Sequence, residues 1–181
     1  MLTIALAFLG VAFVLPLRSL LGLAPGPDPA LRETAWADGV LVVRDDGTPV
    51  RIDELDVGTA LTVYPEGHTT DGDVGVMLLR VPPEQLQLPP ERAGWAIRGV
   101  VGYSKICTHA GCPVGLFAEG TGELLCPCHQ SVFDAYRGAR PRYGPAARPL
   151  PQLPLGVAAD GTLVAKGGFP TPVGPGYWRT S

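Results

Sequence analysis

Hydrophobic and polar positions divide the chain into three stretches with different periods. Residues 1–14 carry no charge, and the apolar run continues past Pro16 and Arg18 to about residue 23. About 20 helical residues span roughly 30 Å, the thickness of a bilayer core, so the spacing predicts a transmembrane helix over 1–23. A secretory signal fits less well, because no basic segment precedes Leu2 and the small-residue pattern at Gly22-Leu23-Ala24 is marginal. Arg18 lies at the far end of the run, opposite to where the positive-inside bias belongs for a translocated head. The expectation is that basic residues or further helices precede Met1.

Residues 24–38 open on Ala-Pro-Gly-Pro-Asp-Pro, an extended linker composition. From residue 39 onward the period is that of strands and turns. Strands are predicted at 40–43, 60–64, 74–81 and 95–104, stopped in turn by Asp45-Asp46-Gly47, by Pro65 and by Pro82-Pro83. Runs at 153–158 and 162–166 flank Asp160-Gly161, a hairpin signal. Residues 82–94 read as a loop with at most one turn of helix. Residues 105–145 are rich in Gly, Pro and Cys, and only 122–125 has strand character. The prediction is a mostly β protein: a base of 39–104 and 146–181 carrying a loop-rich insert, 105–145, behind an N-terminal helix.

Composition narrows the function classes. The 181 residues suffice for one sizeable domain with a small insert. A net charge of −3 argues against a nucleic-acid binder, which would display a basic stripe, so no nucleic-acid partner is expected. The 24 Gly and 20 Pro accompany real hydrophobic runs and read as turns rather than disorder.

The chemistry lies in two short boxes of the insert, Cys107-Thr-His109 and Cys126-Pro-Cys128-His129. Each offers one thiolate and one imidazole, and Cys112 and Cys128 are left over. Two Cys and two His suit zinc, or a [2Fe–2S] cluster with two Cys on one iron and two His on the other. Structural zinc sites pair their ligands as Cys-x2–4-Cys and His-x3–5-His. Here one residue separates Cys107 from His109, two separate Cys126 from His129, and 16 lie between the boxes. That spacing favours the cluster. A structural metal on four thiolates, with both histidines idle, remains the alternative. Haem attachment is excluded at this string, since only one residue separates Cys126 from Cys128 and Cys-x-x-Cys-His needs two.

The boxes Cys107-Thr-His-Ala-Gly-Cys112 and Cys126-Pro-Cys-His-Gln-Ser131 resemble those of the Rieske iron–sulfur subunit of cytochrome bc complexes, the quinol–cytochrome c oxidoreductases. The actinobacterial type is also resembled by Tyr103-Ser-Lys-Ile-Cys107, by the stretch from Gly144-Pro-Ala-Ala-Arg148 to Gln152, and by Pro172-Val-Gly-Pro-Gly-Tyr-Trp178. The similarity runs over residues 31–178.

The resemblance implies a Rieske fold and one [2Fe–2S] cluster. It implies Cys107 and Cys126 on one iron, His109 and His129 on the other, and Cys112 disulfide-bonded to Cys128. A disulfide implies an oxidising compartment, hence a head on the outer side of the plasma membrane. Gly144 and Pro145 match a proline-bearing loop packed over the cluster, and Ser131 a residue whose hydroxyl bonds a cluster sulfide. His129, with His109 beside it, matches the residue that meets the quinol. Leu116, Val114 and Pro145 are candidates to shield the cluster and dock against cytochrome b. The implied partners are a cytochrome b subunit, a c-type cytochrome subunit, quinol, the lipid membrane and, where the complex joins one, a terminal oxidase. A Rieske small subunit resembling that of arsenite oxidase is the alternative within the same class.

Two departures stand out. Actinobacterial members resemble a protein with three anchoring helices, whereas one candidate is present here. High-potential members often carry a tyrosine two residues after the serine, where this chain has Phe133.

Overall fold

In the computed structural model, residues 34–175 are described. The segment 1–23, expected to be a membrane helix, lies outside the described residues. Among the described residues no helix is long and apolar enough to cross a membrane.

The organising element is a five-stranded antiparallel sheet in the order β1-β2-β3-β4-β9, made of Val42–Val43, Ala60–Pro65, Val76–Arg80, Val100–Ser104 and Gln152–Leu153. Its central strands are apolar at consecutive positions because both faces are covered. In β3, Val76 and Leu78 point into one core with Trp36, Ile52, Leu153 and Leu163. Met77 and Leu79 point into the other, with Leu124, Phe133, Cys107 and Cys126. β4 alternates in the same way: Val100 joins the first core, Val101 and Tyr103 the second. Gly102 keeps the strands close, since a Cβ there would lie 3.0 Å from Val76 Cγ1.

The first core is closed by the hairpin β10–β11, Leu155–Val157 and Leu163–Ala165. Its turn has Gly161 at φ 91°, and the Thr162 amide donates to Asp160 Oδ1 at 3.0 Å. This is the hairpin expected from Asp160-Gly161.

The second core is closed by a four-stranded antiparallel sheet: β5 Leu116–Ala118, β6 Glu123–Cys126, β7 Ser131–Asp134 and β8 Arg140–Tyr143. The sequence predicts strand only at 122–125, so three of these strands correct that reading. Their patterns are hidden because each has only three or four residues, and few positions on each face the core: the row Phe117, Leu124 and Phe133, and beside it Cys126 paired with Ser131. Pro141 sits in β8, which is tolerable because β8 is an edge.

Other boundaries shift for local reasons. The run 95–104 breaks at Arg98 and Gly99, at φ 49° and 82°, so β4 starts at Val100. The loop after β3 contains one four-residue helix, α1 (Pro90–Ala93). It straps the two halves together: the Gln87 amide donates to the Tyr136 carbonyl at 2.8 Å, and Arg92 Nη1 to the Gly138 carbonyl at 3.3 Å. The Tyr103 hydroxyl, fully buried, crosses the second core to the Ala135 carbonyl at 2.7 Å.

Candidate metal centre

Three loops converge at one end of the four-stranded sheet. The first leaves β4 as a closed hairpin. Val114 N donates to the Lys105 carbonyl at 2.7 Å, Cys107 N to the Cys112 carbonyl at 2.9 Å, and Gly111 N to the Cys107 carbonyl at 3.0 Å. Val114 anchors this loop in the core at zero exposure, so it is packing and not the docking residue it was a candidate for. Leu116, by contrast, is 58% exposed.

The second loop is the β6–β7 turn. Cys126 pairs across the ladder with Ser131, leaving Pro127, Cys128, His129 and Gln130 as its tip. Strand alternation turns Cys126 into the core and leaves the tip residues exposed. The third loop follows β8. Ser131 Oγ accepts from the Ala146 amide at 3.2 Å, and Gly144, at φ 85°, lies so close that a Cβ would stand 2.6 Å from Ser131 Cα. Ser131 is buried, while Gly144 and Pro145 are exposed.

The side chains sort by chemistry. Cys107 and Cys126 are free thiols, each 1% exposed. Burial pushes the Cys126 thiol above its ordinary value, and the neighbouring Cys107 sulfur adds to the shift. The histidines face outward: His129 is exposed and His109 half-buried, with their rings edge to face and centroids 4.6 Å apart. His109 Nδ1 is buried without a hydrogen-bond partner.

Cys112 and Cys128 are joined as a disulfide with a Cα–Cα distance of 6.4 Å, tying the tip of the first loop to that of the second. The sulfurs of Cys112, Cys126 and Cys128 lie within 4.8 Å of one another, so the bridge rests directly against a free thiol. With two of the four sulfurs bonded to each other, a tetrathiolate metal is ruled out. What remains is two buried thiols, two adjacent imidazoles and an orphaned buried ring nitrogen, a donor set that fits a mixed-ligand cluster.

Two supporting contacts have no signature of their own in the sequence. Thr108, between the ligand-type residues of the first box, donates its hydroxyl to the Arg148 carbonyl at 2.7 Å. The Arg148 guanidinium in turn donates to the carbonyls of Pro172 and Gly174. Threonine inside the box is visible in the sequence, but its partner 40 residues away is not.

A family model described as the Rieske [2Fe-2S] domain matches residues 45–154. The cytochrome bc1 complex Rieske iron-sulfur subunit of Streptomyces lividans is 42% identical over 166 residues, covering 87% of this chain and 97% of that protein. The subunit of the same name from Streptomyces coelicolor is 41% identical over 183 residues, covering 94% of this chain and 52% of that protein. The one from Mycobacterium tuberculosis H37Rv is 34% identical over 206 residues, covering 96% and 48%. This chain thus spans about half the length of the latter two relatives. The chain belongs to the Rieske [2Fe–2S] family, among the iron–sulfur subunits of this actinobacterial kind, and its cofactor is a [2Fe–2S] cluster.

Proposed function

We propose that this chain is the electron-transfer subunit of a quinol–cytochrome c oxidoreductase, taking one electron and a proton from quinol and passing the electron to a c-type haem. The observation that carries this reading is the sorting of the site: two buried thiols behind, two imidazoles in front, on loops clamped by a disulfide. Cys107 and Cys126 would hold one iron, His109 and His129 the other, with Ser131, Gly144 and Pro145 lining the cluster. When bound, the cluster supplies a one-electron couple raised in potential by neutral imidazole ligands.

The protein's part is to bind, orient and move a proton. His129 is exposed and presents its ring to whatever docks on this end. A ring nitrogen free of metal accepts the hydroxyl proton of a quinol placed against it. His109, half-buried beside it at 4.6 Å between centroids, limits how the His129 ring can turn. Burial of Cys107 and Cys126 keeps water from the thiolate side.

The Cys112–Cys128 bridge supports an oxidising compartment, hence a head on the outer, periplasmic side of the plasma membrane. Residues 1–23 would anchor it as a transmembrane helix and 24–38 would tether it. In this reading residues 39–104 with 146–181 would form the base and 105–145 the cluster-binding part. The partners in this reading are a cytochrome b subunit, a c-type cytochrome subunit, quinol, the lipid membrane and, in a supercomplex, a terminal oxidase.

The test uses the assembled membrane complex. Non-haem iron and acid-labile sulfide should be present in equal amounts, and the reduced protein should give the low-average-g EPR spectrum of mixed Cys/His ligation. Cys126→Ser should abolish that signal. His129→Asn should abolish quinol-dependent reduction of cytochrome c. Bound zinc with a silent spectrum, or turnover that survives His129→Asn, overturns the reading.

A further inference from the structure

The tip of the second loop holds a residue in a conformation it does not favour. Gln130 lies at φ 57°, in the left-handed region that glycine and asparagine adopt readily and other residues avoid. Among the described residues only Arg98 and Ala139 share this with it outside glycine. Ala139 is buried, and its carbonyl accepts from Leu150 N at 3.2 Å. Arg98 belongs to the tight turn before β4, where Ile97 bridges to Val100.

At Gln130 the backbone is set from outside. The ladder pairs Cys126 with Ser131, leaving four residues for the turn. Gly144 presses on the far side: a Cβ there would stand 2.7 Å from the Gln130 carbonyl oxygen. These constraints act on the main chain alone, so glycine would meet them with less strain. The Gln130 side chain is exposed and makes no hydrogen bond among the described residues. Neither the turn nor the packing uses its carboxamide. What the amide does have is position: it directly follows the exposed His129, on the same tip. Strain kept where glycine would relieve it points to a use for the side chain.

We infer that Gln130 is a substrate-recognition residue, whose carboxamide N–H donates to the quinol hydroxyl oxygen that gives its proton to His129. The inference rests on the quinol reading of this site. As the O–H bond breaks and the proton passes to the imidazole nitrogen, negative charge grows on that oxygen. A neutral donor held against it stabilises the charge more than it stabilises the bound quinol. Gln130 thus joins His129 as a residue that touches substrate, with a donor's role rather than an acceptor's.

The test compares Gln130→Ala, Gln130→Gly and Gln130→Asn in the assembled complex, reading steady-state quinol kinetics, cluster midpoint and thermal midpoint. Losing one neutral hydrogen bond should lower kcat/KM for quinol roughly three- to tenfold in both the alanine and the glycine variant. The cluster midpoint should not move, and the glycine variant should melt no lower than the parent because its strain is relieved. Asparagine, which tolerates the backbone and keeps an amide, should retain more activity than alanine. An alanine variant with unchanged kcat/KM overturns the inference. So does a loss confined to glycine, which would mean loop stiffness, or a loss that tracks a shifted midpoint. A parent complex that quinol does not reduce overturns the functional reading and this inference together. A competent parent with an unaffected alanine variant overturns this inference alone.

Discussion

The Thr108 hydroxyl and the Arg148 carbonyl, 2.7 Å apart, join the first ligand loop to the third. Ser131 Oγ and the Ala146 amide, at 3.2 Å, join the second loop to the same third loop. The Gly144–Arg148 stretch is therefore a bridge that both ligand loops lean on, and Arg148 passes the load to the tail at Pro172 and Gly174. Thr108 is 5% exposed, so Thr108→Val removes this hydrogen bond without changing the shape of the site. A loss of about 1 kcal/mol is expected, seen as a lower denaturant midpoint with an unchanged m-value. Cluster bleaching in the isolated subunit should also be faster. Equal midpoints would show that the bond contributes nothing net.

Gly144 should be far less replaceable than a glycine that only turns the chain. Gly144 and Gly67 have nearly the same φ, 85° and 81°. A Cβ on Gly67 meets nothing within 4 Å, whereas on Gly144 it would overlap Ser131 Cα at 2.6 Å and the Gln130 oxygen at 2.7 Å. Gly67→Ala should cost about 1 kcal/mol, the left-handed penalty alone. Gly144→Ala should cost roughly 1–3 kcal/mol more for the overlap, and it should broaden the EPR lines of the cluster. Thermal melts of the two variants make the comparison; equal losses would mean the third loop simply moves away.

The Cys112–Cys128 bridge closes a sequence separation of 16 residues. A loop of that size is worth about 3 kcal/mol by loop-closure entropy. Replacing both cysteines by serine should therefore loosen the two ligand loops while the five-stranded sheet persists. Hydrogen exchange is the measurement: amides of 105–114 and 127–131 should lose protection while those of Val76–Arg80 keep theirs. Uniform loss along the chain would instead mean that the bridge holds the whole fold.

The parts of this architecture that were legible in the sequence are those written in local pattern. The Asp160-Gly161 turn, the apolar β3 run and the spacing of the two boxes each state their structure within a few residues. The four-stranded sheet was not legible beyond β6. Its strands are short, β8 is built of Arg140-Pro-Arg-Tyr143, and their pairing is set by the second core rather than by propensity. The same holds at the site. The donor residues announce themselves, but Thr108–Arg148 and Gly144–Ser131 are contacts across long sequence separations that no local pattern encodes. Gln130 shows the converse, a residue that looks unremarkable until its φ is known.

Phe133 gives the last prediction. It is fully buried on β7, opposite Leu124, in the core that also contains Cys107 and Cys126. A phenyl ring has no donor, so this position cannot offer a hydrogen bond to a cysteine sulfur, as a tyrosine would. Reduction adds negative charge to the cluster, and a donor to its thiolate stabilises the reduced form more than the oxidised one. Phe133→Tyr should therefore raise the midpoint potential. A differential hydrogen bond of about 1 kcal/mol corresponds to roughly 40 mV in a one-electron couple. The added hydroxyl must find its partner in a closed core, so stability should fall slightly even as the potential rises, and opposite signs in the two readouts distinguish a new bond from mere disruption. Redox titration followed by EPR, beside a thermal melt, decides it: a midpoint that stays put or falls means the sulfur is out of reach of residue 133, and the potential is then set by other donors around the two boxes.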